Sequence, residues 1–384
     1  MQRNPQALAI YIHYPYCIQK CRYCDFYSVA GKDSAETLDL YLAALGSEFE
    51  ERRRDFSAFS RIESIFFGGS TASRLPPGAL SAILGLIEES FSFLPGIEIT
   101  LEGNPEDFSE TYLEGLAAAG INRVNAGIQT FDPQILDRLG RFYDPVSYPG
   151  ILERLRSVPL RRGIDLIYGY PDSASIFEDD LARVLSADLE HLSLYALTVE
   201  KGTELERVGP YPDEELQAQL FAELPARLAR EGYIHYEVSN FARAGFESRH
   251  NLRYWLYEPY MGLGPGAHGF TGQLRYANPR NADRYLKGHF SRTMSRAMPE
   301  VDIWLGLLRL VRFPLSVAFE ILEEANLPRD PFLDQLELWI RQEVVRVQDG
   351  YFCWQSRGLL FLDQYIECMI SVYSGATVTK TESR

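Results

Sequence analysis

Six short apolar runs recur through the first half of the chain, and amphipathic stretches separate them. The runs are Leu8 to His13, Ile62 to Phe67, Ile97 to Leu101, Arg123 to Ile128, Ile164 to Ile167 and His191 to Leu197. Between them, Leu38, Leu42, Leu45 and Phe49 mark one apolar helical stripe; Leu80, Leu84 and Ile87 mark a second, and Leu113, Leu116 and Ala117 a third. Pro212-Asp213-Glu214-Glu215 opens a further helix with acids in its first turn, where the helix dipole favours them. Strands that alternate with helices lie parallel and are joined by right-handed crossovers. The pattern predicts an α/β fold, either a part-closed six-stranded barrel or a doubly wound open sheet. In both, ligands meet the carboxyl ends of the strands, so polar residues just past each run are the candidates for function.

The first such position carries three thiols. Cys17, Cys21 and Cys24 sit on one tight loop with three and then two residues between them. Three thiolates hold a soft metal centre and leave one coordination position open. A four-iron, four-sulfur cluster held this way differs from the usual four-cysteine arrangement by one exposed iron. A structural zinc loop with His13 as fourth ligand, or three unrelated buried thiols, accounts for these residues as well. Gly68, Gly69, Ser70 and Thr71 end the second run, Glu102 follows the third, Gln129 the fourth, Arg141 lies in a later turn and Asp165 falls in the fifth. The glycines let backbone approach a ligand, and a carboxylate at Glu102 suits a ribose hydroxyl or an ammonium. One polar group per strand end makes a ring around a barrel mouth, as a polar cofactor requires.

With 384 residues the chain suits one large α/β domain and a smaller one. The expected boundaries are a barrel over 1–240, a segment over 241–300 rich in Gly, Arg, Asn and aromatics, and a C-terminal module over 301–373. In that module Trp304 to Val311, Leu315 to Glu324 and Pro331 to Arg341 read as helices. Val344 to Val347, Tyr351 to Trp354 and Leu359 to Leu362 read as short strands, an order like that of a winged helix. The polar tail, 374–384, is expected to be disordered. A net charge of −15 argues against a nucleic-acid partner for the winged module. Cys353 and Cys368 read as core thiols. The chain shows neither a signal-type apolar stretch nor an apolar run of about 18 residues, so a reducing cytoplasm and no integral membrane segment are expected.

The cysteine spacing, with an aromatic before the third cysteine, resembles that of the radical S-adenosylmethionine superfamily. Further segments, His191 to Glu200, Gly202-Thr203 and Tyr236 to Ala242, extend the resemblance over nearly the whole chain, to the oxygen-independent coproporphyrinogen III oxidase-like group. The resemblance favours the part-closed (β/α)6 TIM-like barrel over the open sheet. It implies a four-iron, four-sulfur cluster on Cys17, Cys21 and Cys24, with S-adenosylmethionine chelating the open iron and an outside electron donor. To the strand-end residues above it adds Tyr11 and Tyr23 as cofactor contacts. Ser70 and Ala72 depart from the group's glycine and proline, and Leu139 to Tyr143 lacks a histidine often found after the arginine.

The group has two main types. One is a dehydrogenase that oxidatively decarboxylates coproporphyrinogen III in porphyrin biosynthesis; the other is a heme chaperone that passes heme to acceptor proteins. Phe26 stands where the dehydrogenase type carries another cysteine, and only 16 residues precede Cys17, where that type has a longer extension. His250-Asn251-Leu252-Arg253-Tyr254-Trp255 matches the heme motif of the chaperone type. The match implies His250 as the axial ligand, Asn251, Tyr254 and Trp255 beside the porphyrin, and Arg249 and Arg253 toward its propionates. Gly262 to Ala267 would back the planar ligand, and His268 is the competing ligand. Heme chaperone is therefore the expected function, with the dehydrogenase as the alternative.

Overall fold

The computed structural model of the protein describes residues 3–31, 34–144, 148 and 150–375. All six apolar runs are strands: β1 (Ala7–Tyr14), β2 (Arg61–Gly69), β3 (Ser92–Gly103), β4 (Arg123–Gln129), β5 (Arg161–Tyr168) and β6 (His191–Ala196). They pair in parallel and in chain order. Parallel strands are covered on both faces, which is why these runs are continuously apolar rather than alternating. In β1 only Tyr11 is not fully buried. Helices Ala35–Arg52, Pro77–Glu88 and Glu110–Ala118 follow the first three strands. Ser34 and Ser109 cap two of them, each side chain accepting a bond from a first-turn N–H. Helix Glu214–Arg230 begins as expected, with Asp213 accepting from the Leu216 N–H.

Residues 241–300, which lack a readable period, extend the same sheet. Strands β7 (Ile234–Glu237) and β8 (Asn240–Ala242) add antiparallel beyond β6. On the other edge β9 (Tyr260–Leu263) lies parallel to β1, followed by antiparallel β10 (His268–Phe270), β11 (Leu274–Ala277) and β12 (Thr293–Arg296). Among the described residues the result is a sheet of 12 strands. Two glycines are needed where β9 turns into β10. A Cβ on Gly262 would overlap the His268 carbonyl, and one on Gly264, at φ +95°, would overlap that of His13. These glycines serve close packing of the chain on itself. Fully buried Glu48 anchors the turn, accepting from Gly264 N–H at 2.8 Å, Asn278 Nδ2 at 2.6 Å and the Tyr285 hydroxyl at 2.8 Å.

The C-terminal module has its own core around Trp304, Phe313, Trp339 and Phe352. Strands β13 (Arg312–Pro314), β14 (Val345–Gln348) and β15 (Tyr351–Trp354) form a separate sheet beside helices Leu315–Glu324 and Asp330–Arg341, a winged-helix-like order. One expectation fails. Leu359 and Leu360 end helix Ser356–Leu360 and Leu362 opens helix Leu362–Ser374, with Phe361 as the turn between them. Leu359 and Leu362 are buried while Leu360 and Phe361 are exposed, so burial follows the three-residue spacing of a helix instead of alternating. Of the expected disordered tail, Ser374 ends a helix and 376–384 lie outside the described residues. Among the described residues no helix is long and apolar enough to cross a membrane.

Candidate functional site

The carboxyl ends of the parallel strands surround a cavity of about 590 Å³. Cys17, Cys21 and Cys24, all free thiols, line it. Their loop is pinned through Arg22, whose N–H donates to Leu139 O at 2.8 Å and whose carbonyl accepts from Leu205 N–H at 2.8 Å. The Arg22 guanidinium also donates to the Arg138 carbonyl at 3.0 Å, at the end of helix Pro133–Arg138. Leu205 lies in a short helix capped by Thr203, which gives the Gly202-Thr203 match a structural role. The zinc alternative loses its fourth ligand. His13 is buried, with Nδ1 bonded to the Tyr11 hydroxyl at 3.2 Å and Nε2 to the Tyr27 carbonyl at 2.9 Å.

Tyr23, Gly69, Ser70, Thr71, Glu102, Gln129, Arg141 and Asp165 line the same cavity, and Ser70 meets the Cys17 thiol. Most of the residues singled out in the sequence thus meet around one cavity. Gly68 lies behind it; a Cβ there would come within 3.0 Å of Glu102 Oε2. Tyr11 faces a different cavity. Arg141 ties the mouth together, donating to the Gly127 carbonyl, to Asn104 Oδ1 at 2.9 Å and to the Tyr23 hydroxyl at 3.4 Å. Gln129 sits at φ +69°, an unusual backbone for a residue with a side chain, beside the register shift between β4 and β5. Asn104, Asn125 and Tyr195 also line the cavity and carry no local sequence signal. Behind the cavity wall, Asn125 Oδ1 and Arg141 Nε are buried without a hydrogen-bond partner among the described residues.

Burial, and then the charge of Asp165, push the Glu102 carboxyl up to about 8. Burial also raises Asp165, against the bond it accepts from Asn125 Nδ2 at 2.6 Å. A carboxyl raised on folding contributes stability below its ordinary value of 4.5 and loses it as pH climbs through about 8. Glu102→Gln should therefore match the unaltered, ligand-free protein at pH 4 and exceed it at pH 9 by up to about 5 kcal/mol. Urea unfolding at the two pH values measures this, and equal stability at pH 9 would refute it. A cation bound beside Glu102 reverses the burial effect, so a cationic ligand should bind more tightly as pH rises through that range.

A second cavity of about 870 Å³ opens beside the first, and Asp25 and Phe26 line both. Its walls carry Tyr254, Trp255, Tyr257 and Phe270, together with Arg275, Arg280 and Arg309. Helix Arg249–Trp255 supplies the first two aromatics, with Ser248 as its cap. His250 and Tyr254 share a helix face, as a four-residue spacing requires, and His250 Nε2 meets the Tyr254 hydroxyl at 2.7 Å. The other nitrogen, Nδ1, meets Ser64 Oγ at 2.9 Å. His250 has no exposed surface, and burial with Arg253 nearby pushes its imidazole down to about 3, so the ring is neutral. Tyr254 and Trp255 thus reach the cavity wall, while His250 and Asn251 do not. The arginines assigned to propionates are used elsewhere. Arg253 is buried against Glu63, Glu258 and the Ala7 carbonyl, and Arg249 donates to the Gly96 carbonyl. Arg275, Arg280 and Arg309 line the wall instead; the first two lie in the stretch without a readable period, and Arg309 falls just past helix Pro299–Leu307, within the segment read as helical.

A half-wound barrel with a three-cysteine loop at its mouth defines a radical S-adenosylmethionine protein, and residues 11–184 match the radical SAM superfamily. The chain belongs to the HemW heme chaperone family. It is 31% identical to the heme chaperone HemW of Haemophilus influenzae, over 95% of this chain and 98% of that one. Identity to HemW of Escherichia coli is 30%, with the same coverage. It is 34% identical to the mitochondrial radical S-adenosyl methionine domain-containing protein 1 of Bos taurus, over 93% of this chain and 83% of that one. Among solved structures, coproporphyrinogen III oxidase (HemN) from Escherichia coli shares the fold, with a TM-score of 0.75 at 22% identity over 96% of this chain and 91% of that one.

Proposed function

We propose that the chain binds heme in the larger cavity and passes it to acceptor proteins in the cytoplasm. On this reading Cys17, Cys21 and Cys24 hold a four-iron, four-sulfur cluster in the smaller cavity, beside S-adenosylmethionine. When bound, that pair supplies one-electron chemistry at the sulfonium. Glu102, Gln129, Arg141 and Asp165 would orient the cofactor. One observation carries the heme reading: a cavity of about 870 Å³ whose walls pair flat aromatic faces with several arginines. Ligand pockets run from about 300 to 1,000 Å³, and arginine suits carboxylates. Heme combines a large apolar plane with two carboxylates and needs both kinds of wall.

Titrating ferric heme into the anaerobically reconstituted protein should give a saturable Soret band. Adding a heme-free globin should then draw the heme across. Absence of either step would count against the chaperone reading. The dehydrogenase alternative predicts a different result. Because Phe26, 64% exposed, stands between the two cavities in place of a further cysteine, no turnover of coproporphyrinogen III is expected. Protoporphyrinogen IX formed over several turnovers by reduced protein with S-adenosylmethionine would restore that alternative.

A further inference from the structure

Given heme binding as proposed above, the iron needs a donor atom on the cavity wall. His250 is sealed behind Tyr254, with both ring nitrogens bonded. Two other histidines reach the cavity, His13 and His268. His13 is 4% exposed, and both of its nitrogens are also engaged. His268 differs on each count. It is exposed, it opens β10, and its imidazole makes no hydrogen bond with another described residue. Gly266, Ala267 and Gly269 flank it, so no bulky neighbour in sequence crowds the ring.

The charges nearby suit the same ligand. Arg280 is exposed on this cavity and forms no hydrogen bond or ion pair with another described residue. Arg275 lies over the Phe270 ring at 4.7 Å and is partnered by Asp302 at 2.9 Å. Burial, and then Arg280 and Arg275, hold the His268 imidazole below the usual histidine range. It is therefore a neutral donor near pH 7, the form that iron binds.

We propose that His268 is the axial ligand of the heme iron, that Arg280 meets a propionate, and that the Tyr254 ring packs against the macrocycle. His250 is then a positioning residue, fixing Tyr254 through its bond to the phenol. Full-length, cluster-loaded protein titrated with ferric heme tests this. His268→Ala should lose the histidine-type spectrum and weaken heme retention by about tenfold or more, and added imidazole should restore the spectrum. His250→Ala should keep the histidine-type spectrum and bind more weakly, because Tyr254 loses its anchor. Arg280→Gln should weaken binding of heme but not of heme dimethyl ester. An unchanged spectrum in His268→Ala, or loss of ligation in His250→Ala alone, would overturn the ligand assignment and leave heme binding standing. No heme uptake by the unaltered protein would instead overturn the heme reading, and the assignment with it.

Discussion

Cys21→Ala should abolish the iron–sulfur cluster, leaving iron and acid-labile sulfide at background after anaerobic reconstitution. The reason is the ligand count. Cys17, Cys21 and Cys24 alone among the cysteines line the smaller cavity, and two thiolates cannot hold three irons of a cube. Cys353 lies buried in β15 and Cys368 on the last helix, both in the C-terminal module, so Cys353→Ala and Cys368→Ala should retain full iron content. The loop itself should survive, because Arg22 and Gln19 hold it through bonds to Leu139, Leu205 and Gly140 that involve no thiol. Circular dichroism of the variant should match that of the cluster-free parent. Stoichiometric iron in Cys21→Ala, or zinc in place of iron in the parent, would refute the assignment.

Glu48→Ala should cost about 3–5 kcal/mol of stability, the usual loss when one partner of a buried ion pair is removed. Glu48 and Arg52 are both fully buried, with Arg52 Nε 3.5 Å from Glu48 Oε1. Removing the carboxylate leaves the Arg52 guanidinium with Glu51 and the Phe290 carbonyl as partners. It also strands three donors, from Gly264, Asn278 and Tyr285. Gly264 and Asn278 flank the strands that carry His268 and the approach to Arg280, so heme affinity should fall along with stability. Glu48→Gln keeps an acceptor and should lose less of both. Chemical denaturation of the two variants beside the parent measures the difference, and a loss below about 1 kcal/mol for Glu48→Ala would show the network to be dispensable.

The sequence by itself determined the six parallel strands and the grouping at their carboxyl ends. Strands buried on both faces are continuously apolar, and the sites of a parallel barrel lie just past them, so both could be read from local order. Cys17, Cys21, Cys24, Glu102, Gln129, Arg141 and Asp165 duly line one cavity. Tyr254, Trp255 and His268 apart, tertiary structure decided what surrounds the second cavity. Strands β8 to β12 have three or four residues each, too few to show a period, and they take their places by adding to edges already formed. Leu359 to Leu362 carries a related ambiguity, since four apolar residues fit a strand or a buried helix turn equally well. His250 shows the limit most plainly. Spacing placed it on one helix face with Tyr254, but whether that face met the cavity or the core depended on Ser64 and Glu98, which lie on β2 and β3. Both are more than 100 residues away in sequence. A local motif specifies which side chains travel together; burial against distant strands decides which of them a ligand can reach.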